Sequence, residues 1–166
     1  MFKAILLFSL FVPGLVFAEA SKADLGRAPD LDADMGVYRV RFNNDLVDGS
    51  SYRAVNVLKL VKRSPKEASF DLHLEFFNGH ECNLAGTAIL EADALTHRSK
   101  GLDGPCVLKI RRRKDGIGIE DVDNQCRAGS CGLRGGYGNG TETVFPSKSL
   151  RKVPNAKRHK AIEKLN

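Results

Sequence analysis

The run Phe70-Asp-Leu-His-Leu-Glu-Phe76 alternates strictly, with Phe70, Leu72, Leu74 and Phe76 set against Asp71, His73 and Glu75. A period of two fits a half-buried strand and does not fit a helix. Soon after, Cys82, Leu84, Gly86, Ala88 and Leu90 repeat the pattern, so two strands share one apolar face. Their connection contains Asn78-Gly79, a pair that favours a two-residue hairpin. That register would set Phe76 opposite Glu81 and Leu74 opposite Asn83, apolar against polar. A three-residue loop instead pairs Phe76 with Cys82 and Leu74 with Leu84. One residue of slip turns a whole face over, so the odd-length loop is expected.

The same period extends in both directions. From Gly36, Val37, Arg39 and Arg41 alternate with Tyr38, Val40 and Phe42. Tyr52–Lys62 reads as a second strand whose phase shifts between Val55/Val57 and Leu58/Leu60, which predicts a bulge. Val107–Ile110 leads through Arg111-Arg-Arg-Lys114 to Asp115-Gly116 and then Ile117–Ile119. Asp-Gly predicts a two-residue hairpin, with Arg111 opposite Glu120 as a cross-strand ion pair. The triple arginine then lies at an exposed strand end. Only Ala156–Asn166 reads as helical. Seven or eight strands and no long helix predict an all-β fold, a small antiparallel β-barrel or sandwich.

The first residues place the chain outside the cytosol. Lys3, the apolar run Ala4–Val12, Pro13-Gly14 and the small-x-Ala ending Val16-Phe17-Ala18 have the form of a secretory signal peptide over 1–18. The apolar run is too short for a membrane span, which needs roughly 20 residues. Residues 19–35, polar and rich in Ala and Asp, read as a flexible leader. The β-domain is then expected over 36–146 and a basic C-terminal tail over 147–166. The reading is a periplasmic protein, with secretion as the other exported destination.

Four cysteines in an exported chain imply two disulfides. Cys126 and Cys131 would close a short ring, and Cys82 with Cys106 would join the starts of two strands flanking the hairpin at Glu91–Pro105. Chain-entropy estimates for that pairing are about 2 and about 3.5 kcal/mol.

The charge is concentrated at one end. Residues 147–166 carry seven basic side chains (Lys148, Arg151, Lys152, Lys157, Arg158, Lys160, Lys164) against Glu163 alone. The body from 19 to 146 is nearly neutral. The basic character therefore belongs to the tail, which suits an anionic envelope surface. Basic residues are not interleaved with aromatic ones, so no nucleic-acid partner is expected.

Metal, redox and phosphate chemistry lack their motifs. The cysteines show no C-x-x-C spacing, so neither a zinc knuckle nor a thioredoxin-like centre is indicated. Asp30-x-Asp32-x-Asp34-x-Gly36 resembles the start of a calcium loop, but its glycine comes one place late and position twelve is Arg41. The glycine-dense stretch Cys126–Gly140 lacks G-x-x-x-x-G-K-[ST]. None of His73, His80, His97 and His159 sits beside a nucleophile in a recognisable elbow, and no carboxylate pair stands out. We therefore expect no catalytic residues, no metal and no cofactor. The glycine-dense stretch reads as a stapled turn in which Arg134 and Tyr137 are the large side chains able to reach a partner.

Cys82-x-Leu-x-Gly-x-Ala88, Cys106-x-Leu-x-Ile110 and Cys126-x4-Cys131-Gly-x-Arg-Gly135 together resemble a group of exported bacterial β-domains found beside, or fused to, periplasmic lysozyme-inhibitor-like proteins. The resemblance covers Gly36 to Pro146. A second likeness concerns Asp48-Gly49-Ser50-Ser51-Tyr52, which resembles the Ser-Gly-x-x-Tyr loop that one family of periplasmic lysozyme inhibitors inserts into the enzyme cleft. Asp48 stands where that family has Ser, so Ser50 or Ser51 would have to donate to a catalytic carboxylate. These likenesses imply a non-enzymatic inhibitor or immunity protein that binds a peptidoglycan-degrading, lysozyme-like enzyme through Asp48, Gly49, Ser50, Ser51, Tyr52, Arg134 and Tyr137. The alternative is a structural module that grips an anionic cell wall or membrane through its basic tail.

Overall fold

The structure, a computed structural model, describes residues 26–102, 104–138 and 143–153. The signal-peptide segment 1–18, the first part of the leader and the helical reading of Ala156–Asn166 lie outside the described residues. Nine strands follow in chain order: β1 (Gly36–Asp45), β2 (Ser51–Ser64), β3 (Glu67–Phe76), β4 (His80–Glu91), β5 (Ala94–Lys100), β6 (Pro105–Arg112), β7 (Gly116–Asp121), β8 (Thr143–Pro146) and β9 (Leu150–Arg151). Among the described residues no α-helix forms.

Every neighbouring pair is antiparallel, and the sheet order is β8-β7-β6-β5-β4-β3-β2-β1-β9. β8 and β9 therefore occupy opposite edges, although only the 3-10 turn Ser147–Ser149 separates them in sequence. The sheet must curl until its edges meet. β8 runs against β7 and β9 runs against β1, so both point the same way. They form one final stave that leaves β7 and joins β1. The result is a nearly closed meander barrel of eight staves, in line with the all-β reading.

A barrel of eight strands has an interior just wide enough for side chains to fill it. Tyr38, Leu58, Phe70, Leu72, Leu74, Leu95, Leu108, Ile110, Ile119 and Phe145 are all at most 2% exposed there. The rings of Tyr38 and Phe145 meet edge-on across the seam between β1 and β8, their centroids 6.4 Å apart.

The β3–β4 loop has three residues, Phe77-Asn78-Gly79, with Asn78 and Gly79 both at positive φ. The odd loop length keeps apolar opposite apolar as expected. The register differs by two residues: Phe76 pairs with His80, Leu74 with Cys82 and Leu72 with Leu84. A three-residue loop closes directly on its flanking residues, which sets the first pair at 76 and 80. The β1–β2 ladder runs unbroken from Gly36↔Leu60 to Asp45↔Ser51, so the bulge expected near Val55–Leu60 is absent. Val55 and Val57 are half-buried and lie opposite Arg41 and Arg39, while Leu58 and Leu60 face inward. The irregularity in β2 lies instead at Lys62/Ser64, against β3.

Two readings of the chain ends are also corrected. Residues 26–35 are not a loose leader, because Leu31, Asp34 and Met35 are buried. The Tyr38 hydroxyl donates to the Asp34 carbonyl at 2.8 Å, Arg112 pairs with the Asp34 carboxylate, and Arg27 and Arg112 exchange main-chain hydrogen bonds. The start of the basic tail, Ser147–Arg151, belongs to the barrel wall. Lys152 donates to the carbonyls of Asp32 and Ala33. At the β6–β7 turn, Arg112 pairs with Ile117 and Arg113 N–H donates to the Gly116 carbonyl, one step earlier than expected. Arg111 therefore lies opposite Gly118 and reaches Glu120 diagonally, with Asp93 at 3.0 Å on its other side. It is buried rather than at an exposed strand end.

Candidate functional site

Alternating strand direction sends the β1–β2, β3–β4, β5–β6 and β7–β8 connections to one end of the barrel. Both disulfides lie at this loop end, and no described cysteine is free. Cys82 at the start of β4 joins Cys131, and Cys106 at the start of β6 joins Cys126. The expected pairs, Cys82–Cys106 and Cys126–Cys131, do not form. β5 intervenes between β4 and β6, so Cys82 and Cys106 do not lie on neighbouring strands. A disulfide needs Cα atoms within about 7 Å, and the observed pairs have them at 4.0 and 4.4 Å. Two disulfides fit an oxidising compartment.

The long β7–β8 connection is thereby pinned across the barrel mouth. Asn83 N–H donates to the Ser130 carbonyl and Gly132 N–H to the Glu81 carbonyl, both at 2.8 Å, so residues 130–132 extend the sheet beside β4. Tyr137 then plugs the core and is fully buried, and its hydroxyl donates to Ser130 Oγ at 3.0 Å. Burial pushes that phenol up to about 12. Tyr137 is therefore a core residue and cannot meet a partner as expected. Arg134, in the same connection, is exposed.

Asp48, Gly49, Ser50 and Ser51 are exposed in the β1–β2 turn. The Asp48 carboxylate accepts from the Ser50 hydroxyl at 2.6 Å and from the Ser50 amide at 2.9 Å, and these bonds hold it below the ordinary carboxylate range. The Ser50 hydroxyl is thus engaged within the turn, leaving Ser51 as the hydroxyl without an internal partner among the described residues. Tyr52 is half-buried. Its oxygen accepts from Asn44 Nδ2 at 2.9 Å, and the same amide donates to the Phe76 carbonyl at 2.6 Å. Tyr52 therefore braces the β1–β2 and β3–β4 turns from beneath.

Sequence reasoning missed four residues of this end. Val47, Phe77, Leu102 and Leu133 are 71, 43, 79 and 87% exposed, one on each connection. They sit on linked loops. Val47 N–H donates to Asn78 Oδ1 at 3.3 Å, His80 packs on Gly132, and Leu102 packs on Gly129. The available signal was an apolar residue placed inside a turn sequence, as in Leu46-Val-Asp-Gly49, Phe77-Asn-Gly79 and Gly132-Leu-Arg-Gly135.

Several titratable groups elsewhere hold internal partners. His73 faces outward, its Nδ1 2.7 Å from Asn83 Oδ1. Asp30 accepts from the Asp32 and Ala33 amides, Asp32 pairs with Lys62, and Asp34 pairs with Arg112. The three carboxylates of the calcium-like run thus turn to separate partners. Among the described residues no group of three or more His, Cys, Asp or Glu could hold a metal ion. No family model, curated protein or solved structure matches the chain.

Proposed function

We propose that the chain is a non-enzymatic periplasmic inhibitor or immunity protein that docks its loop end on a peptidoglycan-degrading, lysozyme-like enzyme and blocks it. The carrying observation is that all four connections at the disulfide-stapled end present an exposed apolar side chain. Single surface apolar residues are ordinary, whereas a linked set on one rigid face marks an interaction surface. Two disulfides and the Tyr137 plug fix the loops before docking, which reduces the entropy lost on binding. Arg134 and the half-buried Tyr52 add residue types enriched at binding hot spots. The Asp48-Gly-Ser-Ser-Tyr52 turn belongs to the same face.

The test is protection of peptidoglycan by the purified, oxidised mature chain against a panel of muramidases, including any encoded beside it. Stoichiometric inhibition of at least one supports the reading. No complex and no protection across the panel overturns it.

A further inference from the structure

Barrel closure is incomplete where the last stave changes partner, and that gap has a distinctive chemistry. β8 is hydrogen-bonded to β7 and β9 to β1, while the Ser147–Ser149 turn bridges the change of partner. On the outer side this leaves a groove of about 490 Å³ lined by Arg39, Val40, Arg41, Pro146, Lys148, Ser149 and Arg151. Four of its seven lining residues are cationic and none is acidic. Arg39, Arg41, Lys148 and Arg151 are exposed, and none forms an ion pair among the described residues. Other cations of this barrel do find acids: Arg111, Arg112, Arg98 and Lys62 each hold a carboxylate. Four unneutralised cations converging on one groove raise the local anion potential.

From this geometry we propose that the seam groove is a binding site for a small ligand carrying two linked phosphate groups. Arg39 and Arg41 alternate with Val40 along β1, so they emerge on one face roughly 7 Å apart. Lys148 and Arg151 line the opposite wall. Two adjacent phosphates give each phosphate a pair of cations, whereas a carboxylate would leave three cations unmatched. Arginine forks bind phosphate oxygens in pairs, which a lysine-only patch would not do. The volume falls within the usual range of small-molecule sites, about 300–1,000 Å³. Half-buried Pro146 supplies an apolar surface for the carbon portion of the ligand, while Val40 turns inward against the core and borders the groove only through its main chain. The groove lies on the barrel wall and not at the loop end, so this site does not depend on the inhibitor reading.

The experiment is calorimetric titration of the full mature, oxidised chain with inorganic pyrophosphate at low salt. Inorganic phosphate and vesicles containing phosphatidylglycerol serve as comparators. We expect pyrophosphate to bind at least tenfold more tightly than phosphate and to weaken as salt rises. The double variant Arg39→Gln/Arg41→Gln, and separately Lys148→Gln, should each lose at least tenfold in affinity with an unchanged circular dichroism spectrum. Lys66→Gln, in the β2–β3 turn, should bind as the parent does. Absence of pyrophosphate binding, equal affinity for phosphate, equal loss in Lys66→Gln, or vesicle binding that pyrophosphate does not compete would each overturn the proposal.

Discussion

The imidazole of His97 lies over the backbone of Gly86, so that a Cβ at position 86 would stand 2.7 Å from Cε1 and 3.1 Å from Nδ1. The reason is a split in the sheet. β4 and β5 pair only at Ile89↔Thr96, Leu90↔Leu95 and Glu91↔Ala94, then separate, and the ring fills the wedge. Nδ1 donates to the Thr87 carbonyl at 2.8 Å, and the ring meets Phe70 edge-on at 5.0 Å, so it has no freedom to move aside. Gly86→Ala should therefore destabilise by about 1–3 kcal/mol, the usual cost of overpacking. In His97→Ala the clash disappears, so the two substitutions should be non-additive in a double-mutant cycle of thermal or denaturant unfolding. Simple additivity would contradict the wedge.

Cross-linking across the barrel mouth makes a second outcome measurable. Proteolysis without reduction should release peptides joined as Cys82–Cys131 and Cys106–Cys126. In the chain-entropy model, loops of 49 and 20 residues are constrained by about 4 and about 3 kcal/mol. Replacing Cys82 and Cys131 by Ala should therefore lower the unfolding free energy more than replacing Cys106 and Cys126. Recovery of a Cys126–Cys131 peptide would refute this connectivity.

Strand positions and their inward faces were readable because alternation is a local property. Phe70–Phe76 and Cys82–Leu90 carry it in every residue, and it also required the odd loop between them. What failed was longer-range. The cysteine pairing depends on β5 standing between β4 and β6, and a hairpin of two apolar runs does not reveal which neighbours touch at their far ends. The fate of Tyr137 depends on the same fact, since the Cys82–Cys131 and Cys106–Cys126 links together hold its loop over the core. The docking of Leu31 and Met35 was hidden by the polar composition around them. The seam groove combines residues more than a hundred positions apart, which share no sequence motif.

Alkaline pH should expose the burial of two tyrosines. Desolvation is the main cause of both shifts. Tyr137 is raised from 10.0 to about 12, and Tyr38 is raised further, with the neighbouring Asp34 charge adding to the effect and Arg112 opposing it. The unfolded chain ionises these phenols near the ordinary value, and the folded chain resists. Their contribution to stability is complete below pH 10 and is lost as pH rises from there through about 12. The unfolding midpoint should fall over that window, and the tyrosinate absorbance of Tyr38 and Tyr137 should appear together with loss of native structure. Tyr137→Phe should make the fall shallower. Ionisation of both phenols near pH 10 with native circular dichroism would contradict their burial.

The loop end and the seam groove make separable demands on any partner. Val47 and Leu133 protrude from different loops of the stapled end, where a carboxylate would be desolvated on docking without touching the core. Val47→Asp and Leu133→Asp should each weaken binding of the target enzyme with no change in unfolding midpoint. Loss of a central anchor costs about 2 kcal/mol, roughly thirtyfold in Kd. Tyr52 acts differently. Its oxygen holds the Asn44 amide that also grips the Phe76 carbonyl, so Tyr52→Phe should loosen two turns at once while keeping the ring. That variant should slow association more than it speeds dissociation, since unbound loops must be ordered before docking. Arg39→Gln/Arg41→Gln should leave inhibition intact. If the groove variant abolished inhibition while Val47→Asp and Leu133→Asp did nothing, the docking face would lie on the barrel wall and the loop-end proposal would fail.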